Sequence, residues 1–163
     1  MKMQSIIQDR MQEIVNTGKI LVYISGSKED ERLIDAAGEM AIESGASLVI
    51  MTVVKRVKRL PDEFIRFVGS ERFSDPPEYL YHRYVGEAVI APFTKRLQAM
   101  GVPYEVQIEV GDKKERIEAV AKAVKPYRIV IGMKDFKDWG FSLFNALGIQ
   151  RPLNVDCPVT IIP

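Results

Sequence analysis

The sequence predicts an open, doubly wound α/β sheet of five strands with helices on both faces. Three observations carry that expectation. Short apolar runs rich in β-branched residues recur along the chain, helical apolar stripes separate them, and glycine or proline closes nearly every segment.

Residues 3–15 place Met3, Ile6, Ile7, Met11, Ile14 and Val15 at three- and four-residue spacings, with Asp9 and Glu13 elsewhere, which predicts an amphipathic helix ended by Gly18. Its apolar stripe is expected to pack on its own domain. Lys19 to Ile24 is apolar on both faces, as a central strand must be, and Ser25-Gly26-Ser27 breaks it. From Lys28 to Ser44, Leu33, Ile34, Ala37, Met40 and Ala41 share a helical face, with Ser27 expected as the cap and Gly45 as the stop. Ser47 to Val54 is a second buried strand, and a right-handed crossover through one helix makes it parallel to the first.

Residues 55–85 interrupt this rhythm and are expected to form an insertion or flap. A short helix opened by Pro61-Asp62-Glu63 and closed by Gly69 is followed by Asp75-Pro76-Pro77 and by Tyr79, Tyr81 and Tyr84. Seven basic against five acidic residues is too small an excess for a nucleic-acid surface, so the flap is read as packed by its own aromatics. His82, in the same stretch, has no carboxylate or cysteine partner in sequence and reads as a packing or surface residue.

Gly86 to Met100 is helical, with Val89, Ile90, Phe93, Leu97 and Met100 on one face; Pro92 predicts a kink or a later start. Tyr104 to Val110 alternates apolar and polar residues like an edge strand. Gly111-Asp112 opens a helix through Lys125 that Pro126 stops, with Ile117, Val120, Ala121 and Val124 inward. Arg128–Ile131 and Val159–Ile162 are the fourth and fifth strands. Between them Gly132 leads into a polar and aromatic loop and a short helical stretch, which Pro152 interrupts, making 151–156 irregular.

With 163 residues and 47% hydrophobic content, the chain is read as one domain over 1–163, with an N-terminal helical extension at 1–18. Its 23 basic and 22 acidic residues give no reason to expect a nucleic acid or membrane partner. No run has the length of a membrane span or of a secretory signal core, so a cytoplasmic protein is expected. A single Cys157 excludes an internal disulfide and any multi-cysteine metal site, and the lone His82 removes most catalytic dyads. Cys157 reads as a small buried apolar residue, and no catalytic or metal-binding residue is nominated.

The order of elements and several local strings resemble the universal stress protein family. The strings are Lys19-Ile20-Leu21-Val22, Asp35-Ala36-Ala37 through Gly45-Ala46-Ser47-Leu48-Val49, Val110-Gly111-Asp112, Ile129-Val130-Ile131-Gly132 and Cys157-Pro158-Val159. The resemblance covers about residues 19–163 and implies a parallel sheet of strand order 3-2-1-4-5. Nucleotide-binding members carry glycine, two residues, glycine, nine residues, glycine and a serine or threonine from the end of the fourth strand. In this chain those positions are Gly132, Asp135, Asn145 and Ala146, and the family's nucleotide-binding aspartate after the first strand corresponds to Ser25. The implied order reverses between the first and fourth strands, so the candidate crevice holds Ser25, Gly132, Lys134, Asp135, Asn145 and Ala146.

These replacements act against a polyphosphate. Glycines in such a loop let backbone N–H groups approach phosphate oxygens, and a side chain blocks that approach. Asp135 would add a repulsion of about 1 kcal/mol at contact in water and about 4 kcal/mol at an effective dielectric of 20. Ala146 offers no hydroxyl, and Ser25 lacks the paired acceptors of a carboxylate. Trp139, Phe141 and Phe144 are expected to pack where a base would lie. Ser25-Gly26-Ser27-Lys28-Glu29-Asp30 is similar in part to the pyrophosphate loop of ATP-dependent ligases, but Ser27 and Glu29 stand where that loop has glycine and aspartate.

The resemblance therefore implies a stress-response regulatory or interaction protein with no cofactor bound in the usual mode. The alternative is an ATP switch with magnesium, using Gly132, Lys134, Asn145 and backbone donors. As partners, a homodimer through the last strand is expected, because family dimers form there and the apolar Val159-Thr160-Ile161-Ile162 edge needs cover; an unknown protein partner is the other expectation.

Overall fold

The computed structural model describes residues 18–70, 74–138 and 153–163. Its elements are β1 (Lys19–Tyr23), α1 (Asp30–Ser44), β2 (Ser47–Val54), α2 (Asp62–Ser70), α3 (Pro77–Met100), β3 (Tyr104–Val110), α4 (Lys113–Val124), β4 (Arg128–Gly132), α5 (Met133–Asp138) and β5 (Val159–Ile162). All strands pair in parallel in the expected order β3-β2-β1-β4-β5. The helix expected at 3–15, the aromatics Trp139, Phe141 and Phe144, and Asn145, Ala146 and Pro152 lie outside the described residues. Among the described residues no helix is long and apolar enough to cross a membrane.

Alternation along β1 divides the core. Ile20, Val22 and Ile24 face Leu33, Ile34 and Ala37 of α1 and Ile90 and Leu97 of α3. Leu21 and Tyr23 face Ile117 and Val120 of α4, with Phe136 and Leu153. The five β1-side residues from Ile20 to Ile24 are 0% exposed, and burying a large apolar side chain contributes about 1.5–3 kcal/mol each. Pairing Leu21 with both Val49 and Ile129 sets the carboxyl ends of β1 and β4 side by side, where the sheet order reverses.

Several boundaries differ from expectation for local reasons. Helix α3 starts at Pro77 rather than near Gly86, because proline at the first helical turn presets φ and gives up an N–H that has no intrahelical acceptor there. It continues through Pro92, since Ile90 and Leu97 on either side bury against the sheet and hold the helix in place. The irregular part of the flap therefore shrinks, and residues 77–85 belong to α3. The remaining short helix α2 pairs Phe64 with Phe67 at 6.3 Å and packs on α3 through aromatics, with Phe64 edge-on to Tyr81 at 5.2 Å and 6.4 Å from Tyr84. His82 is a buried packing residue whose Nε2 accepts the Val57 N–H at 3.5 Å.

Helix α1 opens at Asp30 rather than Lys28, and Ser27 is not its cap. The Ser27 hydroxyl accepts the Glu29 N–H at 3.3 Å, while Glu29, at the cap position, makes no side-chain cap bond. Gly45 at φ 71° closes α1 as expected. Asp112 caps α4 by accepting the Glu115 N–H at 3.0 Å. After β4 the chain enters α5 at Met133 directly, in place of the expected polar loop. Leu153 to Asp156 is irregular; Leu153 is buried and the Asn154 N–H reaches Glu118 at 2.8 Å.

Helices α1 and α3 are clamped by Arg96, which donates to both Asp35 oxygens at 2.6 and 2.7 Å and to Glu31 at 2.6 Å. Two helical glycines test how tightly the layers meet. A Cβ on Gly86 would fall 2.4 Å from Ile108 Cγ2, a branch that cannot swing away. A Cβ on Gly38 would fall 2.6 Å from Met100 Cε, the end of a flexible chain. Gly86→Ala should therefore destabilise by about 1–2 kcal/mol despite better helix propensity, and Ile108→Ala should relieve part of that cost. Gly38→Ala should be neutral or stabilising by up to about 1 kcal/mol. Urea unfolding of the variants measures both; equal losses at the two glycines would contradict the packing argument.

Candidate functional site

The crevice is built at the carboxyl ends of β1 and β4. Strand β1 ends at Tyr23, and the turn Ser25-Gly26-Ser27 follows, with Gly26 at φ 82°. Such a turn leaves amides pointing outward that need acceptors. Asp30, only 1% exposed, supplies them. Its carboxylate accepts the Gly26 N–H at 2.7 Å and the Ser25 N–H at 3.2 Å, and the Ser27 hydroxyl lies at 3.5 Å. A carboxylate of the chain thus sits where backbone donors would otherwise meet an anion.

Across the crevice, Asp135 lies in the first turn of α5 and is 6% exposed. The Ser25 side chain lies near enough to act on its titration, so two of the sequence-nominated residues are brought together. Burial raises the Asp135 pKa above the ordinary carboxylate range, with Asp30 and Asp138 adding to the rise, while the Ser25 side chain and the Lys113 charge oppose it. Burial likewise raises Asp30, against the hydrogen bonds it receives. Tyr23, fully buried at the end of β1, is held protonated by burial and by the charges of Asp135 and Asp30.

Gly132 closes β4 paired with Ile162 and is not among the positive-φ glycines. Its missing side chain makes room instead. A Cβ there would lie 3.2 Å from Glu29 Oε2 and 3.7 Å from Asp135 Oδ2. Glu29 Oε2 is buried without a hydrogen-bond partner among the described residues. Lys134, the lysine nominated for the crevice, is solvent-exposed, and the lysine whose charge acts on Asp135 is Lys113 on α4. Asn145 and Ala146, the remaining nominated residues, lie outside the described residues.

Sequence reasoning missed Asp30, Glu29, Tyr23 and Lys113. Only Asp30 carried a readable signal: an acidic residue four positions after a turn glycine, at a helix start, is placed to take the turn's amides. Cys157 is half-buried rather than fully buried, because it packs on the rim of the second core layer, and burial raises its thiol pKa, which keeps it protonated.

The raised Asp135 pKa has a definite pH sign. The folded state binds more protons than the unfolded state between the ordinary carboxylate range and the raised value, so this group's contribution is fully present below about pH 4 and is lost as pH rises through its folded pKa. The stability of the natural chain relative to Asp135→Asn should therefore fall between about pH 4 and pH 7. Melting temperatures of both chains across that range test this; a constant difference would contradict it.

The model of the universal stress protein family matches residues 16–163. A universal stress protein structure from Burkholderia pseudomallei is 25% identical, with a TM-score of 0.60, covering 90% of this chain and 96% of that one. An Archaeoglobus fulgidus universal stress protein in complex with dAMP is 19% identical, with a TM-score of 0.57 and coverage of 90% and 98%. An Arabidopsis thaliana family protein with AMP bound is 20% identical, with a TM-score of 0.54 and coverage of 89% and 90%. The last two share the fold. No curated protein matches the chain. The match over residues 16–163 and the parallel 3-2-1-4-5 sheet together establish that this chain belongs to the universal stress protein family.

Proposed function

We infer that this protein is a cytoplasmic stress-response regulatory or interaction protein that does not take ATP in the family's usual mode. The observation that carries this reading is the Asp30 carboxylate on the Ser25 and Gly26 amides, with buried Asp135 facing it from α5. A polyphosphate entering there meets two carboxylates and finds the turn's donors already engaged. No cofactor is needed in this reading: Asp30 engages the amides of the turn, and Gly132 leaves room for Glu29 and Asp135 beside it.

The second reading is an adenine-nucleotide switch, with ATP and magnesium, in the same crevice. What favours it is that family structures have been solved with AMP, dAMP and cAMP. Thermal unfolding with and without Mg-ATP separates the two. Ligand at 100 times its Kd stabilises by about 2.7 kcal/mol, a rise of about 5 °C for a domain of this size. We expect no rise at millimolar Mg-ATP or AMP; a clear rise with either would favour the switch.

Self-association through β5 is part of the proposal. This four-residue strand is half-buried along its length and lies at the sheet edge beside β4. An uncovered edge invites pairing with a second chain. Light scattering should give a dimer mass, and a monomer mass at high concentration would overturn the edge-pairing proposal.

A further inference from the structure

At the end of the sheet opposite the crevice, a groove of about 600 Å³ opens between the carboxyl end of α1 and the segment joining α3 to β3. Ala41 and Val102 are buried at it, Met100 and Tyr104 are half-buried, and Ile42 is 57% exposed. Ile42 joins neither core layer. The Lys19–Glu105 ion pair, 2.7 Å, also lies at the groove.

The described chain begins at this same place. Gly18 is fixed by the Ser47 N–H, which donates to its carbonyl at 3.3 Å, and by the Tyr127 ring, which leaves no space for a Cβ. Lys19, the next residue, lines the groove. The preceding residues, up to Thr17, carry the apolar stripe Met3, Ile6, Ile7, Met11, Ile14 and Val15. A helix over 3–15 would be about 20 Å long, a reach sufficient to lie along the groove from its anchored end. Tethering at the groove's edge makes this segment's local concentration far higher than that of any free partner.

We propose that the segment before Gly18 docks in this groove as an amphipathic helix, covering Ile42, Met100 and Tyr104 with its apolar stripe.

The full chain carrying Ile42→Lys tests this by the sign of its effect. Helix α1 has no basic residue in its last turn, so a lysine at an uncovered position 42 would be neutral or raise the melting temperature. Beneath a docked helix it should lower it by about 4 °C or more. Met11→Lys should cause a loss of similar size, and the double variant should lose no more than the worse single variant. A neutral or raised midpoint in Ile42→Lys overturns the proposal, as does a loss that disappears on dilution, which would identify a second copy as the cover. In a Cys157→Ser background, Ile42→Cys paired in turn with Ile7→Cys, Met11→Cys and Ile14→Cys should close an intrachain disulfide in at least one pair. Failure of all three, or only interchain products, also overturns it.

Discussion

Strand β1 must give up water on both faces and along both edges, and the rest of the molecule is arranged to make that possible. Its faces need apolar cover, which α1 and α3 provide on one side and α4 on the other. Its edges need backbone partners, which β2 and β4 provide in parallel register. Desolvated peptide groups are tolerable only when each finds such a partner, so the burial of β1 and the assembly of the sheet are one event. The same arrangement brings the ends of β1 and β4 together and creates a crevice.

How that crevice is furnished decides its chemistry. A turn of backbone amides can serve an external anion or an internal one, and in this chain Asp30 is the internal one. Asp135 and the buried Glu29 oxygen then add acceptors where a phosphate site needs donors. The Ser25 side chain sits near Asp135 and opposes the rise in its pKa, so groups from the first and fourth strand ends act on each other. Glu29 contributes the least favourable element, a desolvated oxygen set close against Gly132.

Much of the fold was legible because burial writes itself into periodicity. The all-apolar runs at β1, β2 and β4 required cover on two faces, and the alternation in β3 marked an edge. Errors fell where two local rules competed. Pro77 and Pro92 carry opposite meanings for a helix, and only the packing of Ile90 and Leu97 shows which prevails at the second. The crevice was less readable. Gly132, Ser25 and Asp135 could be placed by register along the chain, but the charge of Lys113 acts on Asp135 from a different helix, and no spacing rule joins elements so far apart. The Arg96 fork onto α1 escaped sequence reasoning for the same reason.

The Asp30 carboxylate can also be regarded as a resident competitor. It is tied to the amides it occupies by only a few residues, so a free anion competes against an acceptor whose effective concentration is at least millimolar. Displacing it would leave a carboxylate of 1% exposure to find new partners or take up a proton. Restoring glycine at position 135 alone would leave this competitor in place. Recovering an anion site would require releasing Asp30 as well, and with it the turn that starts the first helix.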